Sequence, residues 1–317
     1  MGDIMKDLYL TSSSGSLFQY NIQRDILTEV FQTPNSNEYL LGITFNKKIL
    51  YFASNYVIYQ YNLEEDMLNV TNISPLGNMM IQHIKCIGNY LFVPCLNTNG
   101  ILILHVEKLT KIPYYIVFNS SAIKTYGDHI SNITFDGKNF IIQFYSVRGQ
   151  DSTEGQESDF PRTSGLIYLD TNLNIVYRKT NGLEVVLTEY VNNKLYSISN
   201  YFNKSTTNGA LIVGKQSVTS WSTDYTIYDI TITNENIFLV GKLHRKNDNL
   251  FGGIVIHLDK NYDLVSSKYF HSVGYFLGCS SEDDQTNLFD VPDNLLNIDN
   301  WQEKKDEIIT IYKDITV

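Results

Sequence analysis

The amino-acid sequence predicts an all-β fold built from a repeated four-stranded unit, and three observations support this prediction. The 317 residues include 23 Tyr and 16 Phe among many Ile and Thr, the residue types that suit pleated, half-buried strands. An apolar strand-turn-strand pattern recurs along the chain. The turns in this pattern are rich in Asn, Asp, Gly and Lys, several of which readily accept the backbone dihedrals of tight hairpins.

The repeated unit begins with an apolar strand, a short turn and a second strand, and a polar loop then leads to a third and a fourth strand. Its first half reads LLGITFNKKILYFAS at 40–54, ISNITFDGKNFIIQFYS at 130–146 and YDITITNENIFLVGK at 228–242. A period of about 40–50 residues is typical of a β-propeller blade. The second strands start at six positions spaced by 41, 42, 49, 55 and 42 residues, near Leu8, Ile49, Leu91, Phe140, Leu195 and Ile237.

The spacing therefore predicts a six-bladed β-propeller of four-stranded antiparallel blades, interpreted as one domain over residues 1–317. The N-terminal segment matches only the last three strands of the unit, so the C-terminal region must supply the innermost strand of blade one. Val273–Cys279 and Glu307–Asp314 are the two candidates for this strand. Pairing the N- and C-terminal strands closes the ring and removes exposed sheet edges.

The acidic segment at 280–306, near the closure, is the least regular part of the chain. Its sequence leaves three interpretations open: a cap, a short helix, or part of a seventh blade. A β-sandwich is disfavoured because more than twenty strands are expected, and two separate β domains are disfavoured because no Pro/Gly/Ser-rich linker divides the chain.

Charge and composition narrow the classes of partner and compartment. The net charge is −10 and no run of Lys and Arg exceeds two residues, so we expect binding neither to nucleic acid nor to anionic membranes. The start MGDIMKDLYL lacks the pattern of a signal peptide, and no apolar stretch approaches the roughly 18 residues of a membrane span. Three cysteines without a CxxC pair favour a reducing compartment, so we expect a soluble cytoplasmic protein.

The strand pattern resembles that of six-bladed propellers in general, such as the gluconolactonase-like and strictosidine-synthase-like groups and the YVTN-type repeats. The resemblance covers most of the chain and rests on strand pattern. The Gly-His and Trp-Asp marks of WD repeats are absent, and a kelch-type double glycine occurs once, at Gly252–Gly253. Gluconolactonase-like enzymes place Glu, Asn and Asp around one metal in the channel. Asn132 and Asp229 match that set in kind, whereas Gly42 stands where a further carboxylate would be implied.

One face of such a ring carries the candidate binding residues. The loops that enter the first strands and those that join the second and third strands lie around the same mouth of the channel. Long polar loops at 146–165, 200–209 and 243–252 belong to blades four, five and six, and binding residues often lie on such loops. The candidates on this face are Arg148, His244, Arg245 and His271.

The first strands line the channel and carry a second set of candidates. Aligned on their apolar residues, they place one position of each strand in a common column: Gly42, His83, Asn132, Thr188 and Asp229. His129 lies at the mouth of blade four, and Glu189 flanks the first strand of blade five.

Two hypotheses of function follow. The first is a binding module that presents the loop-rich face to a protein or small-molecule ligand. It is favoured because the chain has no nucleophile elbow and no phosphate loop. Its contact residues would be Asn132, Glu189, Arg148, His244, Arg245 and His271.

The second hypothesis is an enzyme at the channel mouth, acting on a small metabolite as a lactonase or other hydrolase, an isomerase or a cyclase. His129 or His83 would act as general acid or base, together with Asp229. Asn132 and Asp229 would hold a divalent metal such as Ca²⁺, Mg²⁺ or Zn²⁺. Exposed aromatic and Arg side chains would favour the first hypothesis, whereas His and carboxylate groups within hydrogen-bond reach would favour the second.

Overall fold

The structure of the protein is a computed structural model in which part of the chain is described. The remaining residues, which include Arg148 and most of the predicted loops at 146–165 and 200–209, lie outside the described part. The described residues are 6–35, 38–74, 80–95, 100–107, 109, 114–118, 129–145, 164–181, 184–201, 209–222, 224–245, 250–287, 291–296 and 309–312.

The first half of the ring contains blades one to three. Their strands are β1 (Leu8–Ser12), β2 (Ser16–Asn21) and β3 (Ile26–Gln32) in blade one; β4 (Gly42–Asn46), β5 (Ile49–Ala53), β6 (Val57–Asn62) and β7 (Met67–Asn72) in blade two; and β8 (Lys85–Ile87), β9 (Tyr90–Cys95), β10 (Gly100–His105) and β11 (Tyr114–Phe118) in blade three.

The second half of the ring contains blades four to six. Their strands are β12 (His129–Phe135), β13 (Asn139–Tyr145), β14 (Ser164–Asp170) and β15 (Ile175–Asn181) in blade four; β16 (Glu184–Val191), β17 (Lys194–Tyr201), β18 (Gly209–Val213) and β19 (Gln216–Trp221) in blade five; and β20 (Tyr225–Ile232), β21 (Asn236–Arg245), β22 (Leu250–Asp259) and β23 (Leu264–His271) in blade six.

A strand near the C-terminus completes blade one. This strand, β24 (Phe276–Ser281), pairs antiparallel with β1 and places Leu10 opposite Cys279. The sheet order of blade one is β24-β1-β2-β3, and every blade therefore has four antiparallel strands in the ring. The predicted six-bladed propeller, closed by its terminal strands, is confirmed, and the first of the two candidate segments supplies the closing strand.

The second candidate segment, Glu307–Asp314, takes a different place. Its described strand, β25 (Ile309–Tyr312), pairs with β11 and places Ile311 opposite Ile116. The prediction that this segment could close the ring is therefore wrong. Because β24 already pairs with the inner edge of β1, β25 instead extends the outer edge of blade three as a fifth strand.

The core lies between neighbouring blades. Blades three and four share an aromatic cluster that includes Phe92, Phe140 and Phe144, all almost fully buried. All five residues of β4, on the channel side, are buried, whereas β7 on the periphery is mostly exposed. Because the innermost strands are covered, even polar side chains on them, such as Thr44 and Asn132, are buried. Cys86, Cys95 and Cys279 are free and buried.

Hairpin turns join the strands as their residues predict. Asn192 and Asn193 have φ values of 50° and 61°, and they form the two-residue connection between β16 and β17. Positive φ at both central residues is the geometry of a type I′ turn, whose twist matches that of the flanking strands. Asn accepts this conformation more readily than most residues other than Gly.

The irregular acidic segment forms a cap and a short helix. Residues 282–287, called the channel cap below, follow β24 at the end of the channel remote from the loop-rich face. The helix Asp293–Leu296 comes next, and Leu296 is fully buried in the cluster between blades three and four. The described part of this segment adds no seventh blade. Among the described helices, none has the length and apolar character needed to cross a membrane.

Candidate functional site

A cavity of about 320 Å³ opens where the innermost strands begin, on the face predicted to bind. His83, Ser131, Tyr145 and Tyr228 contribute polar and aromatic surface to its wall, and Leu41 and Leu277 contribute aliphatic surface. We call it the mouth cavity. With Val186 and Asn200 from blade five, all six blades supply residues to the wall, so the shape of the cavity depends on closure of the ring.

Three β-bulges shape the mouth cavity. The pairing registers of β12, β16 and β20 each skip one residue near the channel mouth: Ser131, Val186 and Tyr228. All three of these residues line the cavity. The residue that follows the extra one occupies an equivalent position in each strand. It is Asn132 in β12, Leu187 in β16 and Asp229 in β20, so Leu187 takes the place predicted for Thr188. A pattern of alternating side chains does not reveal a bulge, because the extra residue shifts the alternation within the strand.

His83 and Asp229 are neighbours that do not form a hydrogen bond. The His83 Nε2 atom lies 3.8 Å from Asp229 Oδ1, which exceeds hydrogen-bond distance. The Asp229 carboxylate instead accepts the backbone N–H groups of Ile230 and Cys279, both at 2.9 Å. Neither ring nitrogen of His83 has a hydrogen-bond partner, although the side chain is buried.

Asn132 and Glu189 belong to a buried polar network deeper in the channel. The Asn132 Nδ2 group donates to Glu189 Oε1 at 2.7 Å and to the Thr188 carbonyl at 2.9 Å. The Lys85 ammonium lies 3.0 Å from Glu189 Oε2, which is close enough for an ion pair. The two groups are not aligned for a hydrogen bond. These contacts join blades three, four and five. Lys85 was not among the residues predicted for the site, although a lysine inside the apolar stretch IKCIG is a signal that a buried partner is needed.

The residues proposed as metal ligands have other partners. Asn132 faces Glu189, and both oxygens of Asp229 accept backbone N–H groups. Within the described ranges, no three His, Cys, Asp or Glu residues come together in a way that would hold a metal ion. A metal held by Asn132 and Asp229 therefore stays a prediction.

The other predicted site residues that the structure describes lie around the rim of the mouth. The His129 ring centroid is 5.7 Å from that of Tyr145, which places His129 beside the mouth cavity. His244 is exposed and its ring lies 5.9 Å from that of Phe251. The Arg245 Nε atom is 3.7 Å from Asp224 Oδ2 across a half-exposed pair.

His271 hydrogen-bonds its neighbour Ser272 and packs edge-on near Tyr269. It therefore lies at the same end of blade six as His244 and Arg245, as expected from the sequence. No contact joins these three residues to His83 or Asp229 among the described interactions, so their roles stay predictions.

A row of aromatic side chains leads outward from the mouth cavity. The Tyr228 and Tyr275 ring centroids are 5.7 Å apart, and those of Tyr275 and Phe251 are 5.8 Å apart. The Lys242 ammonium lies 5.8 Å from the centre of the Tyr275 ring. Phe251 is 46% exposed, so the row ends at the protein surface. We call Tyr228, Tyr275 and Phe251 the rim aromatics. The rim aromatics were not predicted, because they come from three separate parts of the chain: β20, β22 and the segment before β24.

The channel cap holds a buried carboxyl at the opposite end. Asp284 accepts hydrogen bonds from the backbone N–H groups of Ile232 and Thr286, at 3.2 and 2.9 Å, and from the Ser280 hydroxyl at 3.1 Å. Burial outweighs these hydrogen bonds and raises the pKa of Asp284 to about 7. The Asn287 side chain accepts a hydrogen bond from the Thr44 hydroxyl at 2.7 Å. The cap therefore ties blades one, two and six together.

The chain matches no protein-family model and no curated protein sequence. It is similar in fold to solved structures. One is a chain of the nidogen/laminin complex, with a TM-score of 0.57, 12% identity, and coverage of 87% of this chain and 98% of that chain. Another is a protein of unknown function from Bacteroides caccae, with a TM-score of 0.59, 9% identity, and coverage of 87% and 98%.

A third similar structure is the β-propeller domain Cps50 (Swd1) of Myceliophteria thermophila, with a TM-score of 0.50, 8% identity, and coverage of 84% of each chain. At such low identities a structural likeness shows shared architecture and carries no activity across. The chain is therefore a six-bladed β-propeller, and its likeness to these proteins is one of fold.

Proposed function

We propose that this protein is a binding module whose binding face surrounds the mouth cavity. The observation that supports the proposal is the continuity between a concave cavity and an exposed aromatic row on the same face. Aromatic side chains supply much of the binding energy in interfaces because they bury large areas at a low cost in conformational entropy.

The arrangement of polar groups favours binding over catalysis. A carboxylate that orients a catalytic histidine hydrogen-bonds to its ring, and Asp229 Oδ1 lies 3.8 Å from His83 Nε2, beyond hydrogen-bond distance. Both oxygens of the Asp229 carboxylate already accept backbone N–H groups, so this carboxylate has fixed partners within the protein.

The partner on this face is a protein or a small molecule. Propellers often serve as interaction modules, and one similar chain comes from a complex of nidogen with laminin. The ring holds its mouth on strands from every blade, so a ligand would meet a surface that is already formed. Preformed surfaces bind with a smaller entropy cost than surfaces that order on contact.

The test is partner capture with one variant on the face and one away from it. Phe251→Ala removes the most exposed rim aromatic, whereas Tyr177→Ala removes a 56% exposed aromatic on the outer strand β15 of blade four. We expect proteins captured from an extract of the source organism, or small molecules co-purifying from it, to be depleted by Phe251→Ala and retained by Tyr177→Ala. Quantitative mass spectrometry measures both. Retention of every partner by Phe251→Ala would contradict the face assignment.

A further inference from the structure

We propose that the mouth cavity binds a single uncharged, hydroxyl-rich ring, such as a pyranose sugar or a cyclic polyol. This inference rests on the proposed binding face and names the class of ligand that its cavity takes. Three properties of the cavity wall carry it: unpaired polar atoms, an absence of charge, and two aromatic rings.

The unpaired polar atoms belong to His83 and Ser131. Both side chains line the cavity, and each residue is only 7% exposed. The His83 Nδ1 and Nε2 atoms and the Ser131 hydroxyl have no hydrogen-bond partner within the protein. Buried polar atoms without partners are rare, because each loses its hydrogen bond to bulk water. These atoms therefore favour an occupant that supplies hydrogen bonds.

A hydroxyl group is the best complement to these atoms. A neutral imidazole has one donor and one acceptor nitrogen, and a serine hydroxyl can both donate and accept. A ligand hydroxyl also does both, so it pairs with His83 in either tautomer and with Ser131 in either orientation. A wholly apolar ligand would leave all three atoms unpaired, and sites with unpaired buried polar groups reject such ligands strongly.

The charge of the cavity wall argues against ionic ligands. None of the described lining residues is Lys, Arg, Asp or Glu. An anion would find no cation in the wall, and it would meet Asp229 behind His83, with Oδ1 3.8 Å from Nε2. A cation would find no carboxylate in the wall. Binding a charge in such a cavity costs its hydration without a compensating ion pair.

The aromatic walls and the volume favour one ring. Tyr145 and Tyr228 both line the cavity, and the negative faces of their rings attract the weakly positive C–H groups of a saturated ring. The volume of about 320 Å³ lies at the lower end of the range of roughly 300–1,000 Å³ seen for small-molecule sites. The cavity therefore suits a monosaccharide more closely than a longer chain.

The test titrates purified protein with matched ring compounds, monitored by saturation-transfer-difference NMR and calorimetry. The neutral probes are D-glucose, D-galactose, D-mannose, N-acetyl-D-glucosamine and myo-inositol. The charged probes are D-glucuronate and D-glucosamine, which keep the ring and add a negative or a positive charge. We expect saturable binding of at least one neutral probe, and binding of its charged analogues that is weaker by at least about tenfold.

Two variants place the binding in the mouth cavity. His83→Phe and Ser131→Ala each remove a buried group that would hydrogen-bond to the neutral probe. We therefore expect each variant to bind the probe about tenfold more weakly. His105→Phe is the matched control, because His105 lies on β10 in blade three, away from the channel. If His83→Phe fails to fold, Ser131→Ala decides the question, since it removes one oxygen atom.

Three results would overturn the inference: no neutral probe saturates, a charged probe binds at least as tightly as every neutral one, or Ser131→Ala and a folded His83→Phe both bind as the wild type does. These results leave the proposed binding face intact as long as Phe251→Ala still loses partners that Tyr177→Ala retains. If both experiments fail, the face itself is wrong.

Discussion

Lys85 and Glu189 carry opposite charges at two of the least exposed positions of the channel, 3% and 1% exposed. Their side chains are 3.0 Å apart, and Glu189 also accepts a hydrogen bond from Asn132. Burying two charges costs hydration that their attraction repays only when the pair is intact. The pair therefore makes each residue depend on the other, and it links blade three to blade five.

Replacing one member of this pair should destabilise the protein strongly. In Lys85→Met, the buried Glu189 carboxylate loses its cation, so we expect the free energy of unfolding to fall by about 3–5 kcal/mol. Urea unfolding at pH 7 measures this change. The double variant Lys85→Met, Glu189→Gln should recover most of the loss, because glutamine is uncharged and still accepts from Asn132.

The control for this prediction is an exposed ion pair. Lys260 lies 2.7 Å from Glu235, and both side chains are more than half exposed. Lys260→Met should leave the urea midpoint nearly unchanged because exposed pairs contribute little to stability. Equal effects of Lys85→Met and Lys260→Met would show that burial does not govern the Lys85 pair.

Asp284 should make the free energy of unfolding depend on pH. In the folded protein its pKa is about 7, whereas an unfolded Asp has a pKa near 4. Between these values the folded state binds more protons than the unfolded state, so this group lowers the free energy of unfolding as pH rises from about 4 to 7. Above pH 7 its contribution no longer changes.

Asp284→Asn isolates this contribution, because asparagine keeps an acceptor for Ile232 and Thr286 and does not titrate. We expect the variant to lack part of the decline that wild-type stability shows from pH 4 to pH 7, measured by urea unfolding at each pH. Asp283→Asn, in the same channel cap, should retain the decline. A variant curve parallel to that of the wild type would contradict the assignment.

The contribution of a strand to the stability of the protein depends on how many neighbouring strands it pairs with. β1 pairs on both edges, with β2 and β24, whereas β25 pairs only with β11 in the described sheet. In β1 every backbone N–H faces a neighbouring strand, and Leu10 is fully buried. β25 adds hydrogen bonds to a blade that already has its four strands.

Proline substitution should show that these two strands contribute differently to the stability of the protein. Because β1 lies between two strands, the N–H that Leu10→Pro removes faces a partner strand. We therefore expect a loss of at least about 2 kcal/mol in unfolding free energy. Ile311→Pro, in β25, should cost at most about 1 kcal/mol and leave the far-ultraviolet circular dichroism of the ring unchanged. Similar losses for both variants would show that β25 is as important to the ring as its closing strand.

At the scale of the whole molecule, stability depends on closure of the ring between β1 and β24. The contact joins residues about 270 positions apart, as in the pair Leu10 and Cys279. Both of these residues lie in the cluster between blades six and one. Closing so long a loop has a large entropy cost, which a covalent link in the unfolded chain would reduce.

A disulfide at this position should stabilise the ring. Leu10→Cys places a thiol opposite Cys279, and oxidation during refolding is needed because burial raises the pKa of the Cys279 thiol well above its ordinary value. We expect the oxidised form to exceed the reduced form of the same variant by up to about 5 kcal/mol in unfolding free energy. No gain on oxidation would indicate a strained disulfide or a ring that does not close at these residues.

The architecture was predictable because its signals are local and repeated. The period of about 40–50 residues and the turns such as Asn192–Asn193 report blades and hairpins without any knowledge of long-range contacts. The missing first strand of blade one indicated that the ends would pair. The role of 307–314 was not predictable, because one alternating strand fits several open edges equally well.

The candidate site was predictable only in part. Alignment of the first strands on their apolar residues selected His83, Asn132 and Asp229, and all three are buried. Their partners come from other blades: Asn132 meets Glu189 across blades four and five, and Asp229 meets the backbone of β24. Three bulges then decide which side chains line the mouth cavity.

The repeat and the pairing of the terminal strands could be predicted because they follow from hydrophobic periodicity and turn chemistry within about 50 residues, whereas the segment 280–306 left a seventh blade open. The folded chain alone shows that β25 extends blade three, that Lys85 pairs with Glu189, and that Ser131 and Tyr228 share a cavity with His83. These contacts join residues from different blades, and closure of the ring sets the distances between them.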